Sequence, residues 1–114
     1  MNMEKRIREA SIHYLELRGC EVWAKDYKGF IVFYDEPENK IVLASVGYEV
    51  GKFYEGKPIT RKMFEDVMCK YMASIDEAIE AGLRYDMIEI NVLADHRAIV
   101  RHVVNAPFEG EEDR

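Results

Sequence analysis

Two runs of residues, Phe30-Ile31-Val32-Phe33-Tyr34 and Ile41-Val42-Leu43-Ala44-Ser45-Val46, constrain this chain more than anything else in it. Both are rich in β-branched and aromatic side chains. Between them Asp35-Glu36-Pro37-Glu38-Asn39-Lys40 carries turn chemistry, because proline fixes φ and asparagine tolerates the left-handed region. Residues 29–47 therefore read as a β-hairpin. Side chains alternate between the two faces of a strand, so Phe30 and Val32 share one face while Ile31 and Phe33 point the other way. A strand apolar on both faces is covered on both, by the chain's own helices or by a partner chain.

The rest of the chain supplies candidates for that cover. Ile7, Ala10, Tyr14 and Leu17 recur at spacings of three and four, and Gly19 stands where a C-cap belongs, which predicts a one-faced helix over 4–18. The period then changes. Val22-Trp23-Ala24 with Tyr27 predicts a short strand, broken at Gly29. Gly47, Gly51, Gly56 and Pro58 mark a loop that carries Phe53 and Tyr54 as packing or lid residues, with no phosphate-binding fingerprint. Thr60 predicts an N-cap, and Phe64, Val67, Met68, Tyr71, Ile75, Ala78 and Ile79 keep helical spacing as far as Gly82. Strands follow at 87–93 and 98–104, joined by a turn at Asp95-His96-Arg97. The order is α-β-β-β-α-β-β, the pattern of an α/β protein with helices on a mixed central sheet. At 114 residues this is one domain, 1–108, followed by an acidic, flexible tail at 109–114.

Charge bears on partners. The net charge is −6, and half of it lies in that six-residue tail. The remaining domain is still mildly acidic, which disfavours tight DNA binding, where Lys and Arg must neutralise phosphates. No apolar run approaches the length of a bilayer span, and no apolar stretch follows Glu4-Lys5-Arg6, so neither a membrane segment nor a secretory leader is expected. Cys20 and Cys69 stand far apart, with no Cys/His cluster around them, so no zinc site is expected and both read as small core residues. A reducing, cytoplasmic setting is the expectation.

Four pieces of the chain, taken in order, resemble a known family. Glu9-Ala10 with Tyr14-Leu15-Glu16-Leu17-Arg18-Gly19 is similar to the opening helix of the YraN-like proteins. Arg84-Tyr85-Asp86-Met87-Ile88-Glu89-Ile90 is similar to a later strand of that family, and Arg101-His102-Val103-Val104-Asn105-Ala106-Pro107-Phe108 to its closing segment. The hairpin completes the set through Gly29, Ile31 and Val46. The resemblance covers about residues 4–108 and implies a restriction-endonuclease-like, PD-(D/E)xK fold related to Holliday-junction resolvases. It also implies where the chemistry would stand: two acids on the first hairpin strand, an acid and a lysine on the second, together holding a divalent metal that activates water. Here Phe30 and Val32 take the first two positions, and Ser45 and Gly47 the others. A Phe/Val pair offers a metal nothing. No catalytic residues, and no resident metal, are expected from this site.

A relocated site would use Asp35, Glu49 and Lys52, with Mg²⁺ or Mn²⁺ as cofactor; the plainer reading makes these turn and loop charges. Glu9 matches an acidic helix position of related nucleases but has no partner ligands near it in sequence. His13, His96 and His102 have no neighbour at ligand spacing and read as solvated or structural. Trp23, Tyr27, Phe30, Phe33 and Tyr34 read as core before interface or base stacking. Three functions follow in order: a protein-interaction or self-association module, with a homodimer or a protein as partner; a non-catalytic binder of branched or single-stranded DNA through Arg61, Lys62, Lys70, Arg84, Arg97 and Arg101; and a metal-dependent endonuclease with its site moved.

Overall fold

A computed structural model describes residues 2–52, 56–75, 77–93 and 97–111. Helix α1 (Met3–Leu17) starts where the Asn2 side chain accepts the Glu4 amide at 2.8 Å, and it stops before Gly19, whose φ of 84° ends the turn. Strands β1 (Glu21–Tyr27) and β2 (Phe30–Asp35) are joined by Lys28 and Gly29. Both residues have positive φ, 54° and 91°, as a tight type I′ hairpin requires. Strand β3 (Lys40–Val50) lies antiparallel to β2, with Ile31 opposite Ala44 and Asp35 opposite Lys40. The expected hairpin is present.

Helix α2 (Arg61–Ser74) carries the chain over the sheet, capped by the Thr60 side chain on the Met63 amide at 3.1 Å. Strand β4 (Gly82–Val92) then runs parallel to β3, and β5 (Ala98–Val103) returns antiparallel to β4. The sheet order is β1-β2-β3-β4-β5. The molecule is thus α/β, a mixed five-stranded sheet with two helices in the order α-β-β-β-α-β-β. One core joins Phe30, Val32, Ile41 and Leu43 to Phe64, Val67, Met68 and Tyr71 of α2. The second joins Ile31, Phe33, Val42 and Ala44 to Ile7, Ile12 and Leu15 of α1. The apolar hairpin is therefore covered on each face by a helix of its own chain. No helix among the described residues is long and apolar enough to cross a membrane.

The structure corrects the elements in three places. The buried face of α1 is Ile7, Ser11, Ile12 and Leu15, whereas Ala10 is exposed and Leu17 is 74% exposed. Ser11 can take a core position because its hydroxyl donates to the Ile7 carbonyl at 2.8 Å. Helix α2 ends at Ser74, not at Gly82; Ile75 is already extended, and Ile75, Ile79 and Ala81 reach the same core from a non-helical connection. Strands β3 and β4 are longer than their apolar runs, because every residue from Lys40 to Val50 is matched by one from Gly82 to Val92. Ladder pairing overrides the glycine at 47. Phe53, Tyr54 and His96 lie outside the described residues. Past β5 the chain is tied down: the Ala106 amide donates to the Tyr85 carbonyl and the Glu109 amide to the Ile59 carbonyl, both at 2.8 Å, and Glu111 pairs with Arg61.

Candidate functional site

The four positions that would carry nuclease chemistry lie on the α2 face. Phe30 and Val32 are 7% and 0% exposed and are packed in the α2-side core. The Ser45 hydroxyl shares a hydrogen bond with the Tyr85 hydroxyl at 2.8 Å, and Tyr85 also accepts from the Ile59 amide. Gly47 stands beside Glu89 in the parallel ladder. Among the described residues Glu89 is the one carboxylate on this stretch of the face, and sequence reasoning missed it. One oxygen accepts from the Gly56 amide at 3.1 Å; the other, buried, has no hydrogen bond and faces Arg101 Nη1 at 3.5 Å. A cavity of about 70 Å³ opens here, between Ser45, Gly47, Gly56 and Glu89. A Cβ at Gly56 would fall 2.5 Å from the Met87 methyl, so a side chain there would push the end of Met87 aside. One carboxylate does not make a divalent-metal site. Among the described residues no three His, Cys, Asp or Glu side chains are grouped to hold an ion.

The relocated set does not assemble. Asp35 pairs with Lys40 at one end of β3, and Glu49 lies nine positions further along it. At about 3.3 Å per residue that is roughly 30 Å. Glu49 and Lys52 are exposed, while Asp35 is engaged elsewhere.

Asp35 belongs to a polar network on the α1 face, built from alternate residues of β4. Asp86, with none of its side chain exposed, receives Arg84 Nε and Nη2 at 2.8 and 2.9 Å, the Asn105 amide at 3.0 Å and His102 Nε2 at 2.7 Å. Arg84 Nη1 donates to Asp35 at 2.8 Å, and His102 Nδ1 meets the Tyr14 hydroxyl at 3.1 Å. Burial alone would raise the Asp86 carboxyl; the hydrogen bonds from His102, Arg84 and the Asn105 amide outweigh it and hold the group below its ordinary range. Burial likewise opposes the Arg84 charge, but its bonds to Asp86 and Asp35 win and push its pKa up. An ionised Asp86 can only accept, so His102 Nε2 donates to it, while Nδ1 faces the Tyr14 hydroxyl.

In form this is a carboxylate–imidazole–hydroxyl relay. A nucleophilic tyrosine needs a lowered pKa, however, and burial pushes the Tyr14 phenol up. Burial, and then Asp35, also push up the neighbouring Cys20 thiol, which keeps it protonated. The arrangement is a clasp holding α1, β2, β4 and β5 together beside a cavity of about 670 Å³ whose walls include Arg18, Cys20, Glu36 and Glu38. The clue in the sequence was Arg84 and Asp86, opposite charges two residues apart in a strand. That spacing puts both on one face, where each needs the other.

The remaining predicted residues are dispersed. Arg84 is not a surface cation, because two carboxylates consume it. Arg61 forms a two-pronged pair with Glu111 at 2.9 Å and lies over the Phe108 ring. Lys62 and Lys70 are exposed on α2, while Arg97 stands just before β5 and Arg101 within it. Glu9 and His13 are exposed on α1, and Cys69 is exposed rather than buried, because Phe64, Val67, Met68 and Tyr71 define the inward face of α2. Comparisons with protein-family models, with curated proteins and with solved structures find no match to this chain.

Proposed function

We propose that this chain is a non-catalytic relative of the YraN-like, restriction-endonuclease-like proteins that works as a protein-interaction module, its first partner being a second copy of itself. The observation that carries this reading is the burial of Phe30 and Val32 beneath α2, where the resemblance would put metal-binding acids. Giving that ground to apolar packing strengthens the fold and removes the means of activating water. The mild acidity of the domain and the commitment of Arg84 and Arg61 to carboxylates favour a protein partner over DNA.

The test pairs two measurements on the same preparation. Sedimentation velocity across a hundredfold range of concentration is expected to show a mass that rises with concentration. Fluorescence anisotropy with linear and four-way-junction DNA is expected to stay flat at low and at physiological salt, with or without Mg²⁺ or Mn²⁺. Salt-sensitive binding to the junction by a monomeric protein would replace this reading with DNA recognition through Lys62, Lys70, Arg97 and Arg101. Metal-dependent cleavage lost in Asp35→Ala or Glu49→Ala would replace it with a relocated nuclease.

A further inference from the structure

Glu89 is a buried carboxylate whose bonding is incomplete. Its side chain is 8% exposed; Oε1 accepts from the Gly56 amide at 3.1 Å, while the buried Oε2 has no hydrogen bond among the described residues. Arg101 Nη1 stands 3.5 Å from Oε2, near enough to balance charge but not bonded to it. A buried acceptor left unmet costs free energy that a well-placed donor recovers.

The cavity beside it, of about 70 Å³, has the room of roughly two water molecules. Glycine opens it on two sides, through Gly47, level with Glu89 in the parallel ladder, and through Gly56. Donors stand on the other walls. Lys57 is exposed, and Ser45 shares a hydrogen bond with Tyr85 in which either hydroxyl can give the proton. Charge then decides what kind of group fits. An anion would meet the Glu89 carboxylate at close range. A cation would join Arg101 and Lys57 as a third positive group around a single carboxylate. A neutral group that donates and accepts at once suits both sides of the cavity.

We propose that this cavity binds a neutral primary carboxamide, whose N–H donates to Glu89 Oε2 and whose carbonyl oxygen accepts from Ser45 or Lys57. Such a site works whether or not the chain associates with itself.

Acetamide, acetate and acetamidinium share nearly one shape and differ in charge and in donors. Titrated into the full chain at constant ionic strength, acetamide is expected to shift the Gly47 and Gly56 amide signals in nitrogen–proton correlation spectra. The shifts should saturate with a dissociation constant in the millimolar range. Acetate and acetamidinium are each expected to bind about tenfold more weakly, or not at all. Glu89→Gln turns the unmet acceptor into an NH₂ donor while Oε1 stays on Gly56, and it is expected to erase the preference for acetamide over acetate. Shifts that never saturate with acetamide, acetate or acetamidinium binding as tightly as acetamide, or a Glu89→Gln protein that keeps the wild-type order would each overturn the carboxamide site. N-acetylglutamine methylamide then separates two sources of the same chemistry. Tighter binding than acetamide assigns the site to a side-chain amide carried by a peptide, weaker binding to a free small amide, and either order supports the proposal.

Discussion

Strand β4 presents Tyr85, Met87 and Glu89 to α2 and Arg84, Asp86 and Ile88 to α1, and the two faces treat a buried carboxylate in opposite ways. Asp86 has both oxygens met, by Arg84, His102 and the Asn105 amide. Glu89 has one oxygen met and one left to a longer contact with Arg101. The lesson concerns completeness. Burying a charge is tolerated when partners match its lone pairs, and it costs several kcal/mol when they do not. The α1 face carries a finished network; the α2 face is apolar, with one unfinished corner.

The largest expected effect breaks the contrast outright. Val32→Asp puts an acid into the apolar core on the α2 face, and the cost is expected to exceed about 4 kcal/mol. Circular dichroism and urea titration should find the variant unfolded or near it. A folded, wild-type-like Val32→Asp protein would mean that this face is wetter than its burial indicates. Asp86→Ala, on the other face, strands Arg84 and His102 and is expected to cost about 3–5 kcal/mol by the same titration. A loss under ~1 kcal/mol would show that the network adds little.

The acid limb of the stability curve sharpens the same point. The folded-state pKa of Asp86 is lowered, so its contribution is present above the unfolded value of ~3.9 and is lost as pH falls through the folded one. Wild type should therefore lose stability below about pH 4 more steeply than Asp86→Asn. Parallel slopes would remove Asp86 as the cause. Tyr14→Phe deletes one hydrogen bond at the rim of the clasp and is expected to cost ~0.5–1.5 kcal/mol. Glu89→Gln should have the smallest effect, within about 1 kcal/mol of wild type in either direction, because it relieves a half-met charge as it weakens a bond. A loss as large as that of Asp86→Ala would mean that the two carboxylates are equally well supported.

The hairpin, the mixed sheet and the element order were legible because they rest on local features: β-branched runs, a Pro-containing turn and apolar spacing. Most of what escaped depends on neighbours distant in sequence. The extension of β3 through Gly47 needs a parallel strand that spacing cannot display; Ser11 escaped for a local reason, its hydroxyl bonding the Ile7 carbonyl one turn back. The network was half visible. Arg84 stood out as a cation and His102 as an isolated histidine, but their common partner Asp86 draws them from positions 84, 86 and 102 and takes Tyr14 from another layer. The positions to which the resemblance would give chemistry were readable residue by residue; Glu89 beside Gly47 was not, because only the parallel register brings those two together.

That register has a consequence for how the chain is made. Every β3–β4 pair, from Lys40 with Gly82 to Val50 with Val92, joins residues 42 positions apart. A chain emerging from the ribosome completes the β1–β2–β3 meander well before β4 exists. During that interval β3 is itself an open edge, apolar on both sides from Ile41 to Ala44, in a nascent chain that has no other strand to offer it. Synthesis speed across residues 51–92, the stretch that brings α2 and β4 to cover that edge, thus bears on yield: a pause there lengthens the exposure of an apolar strand.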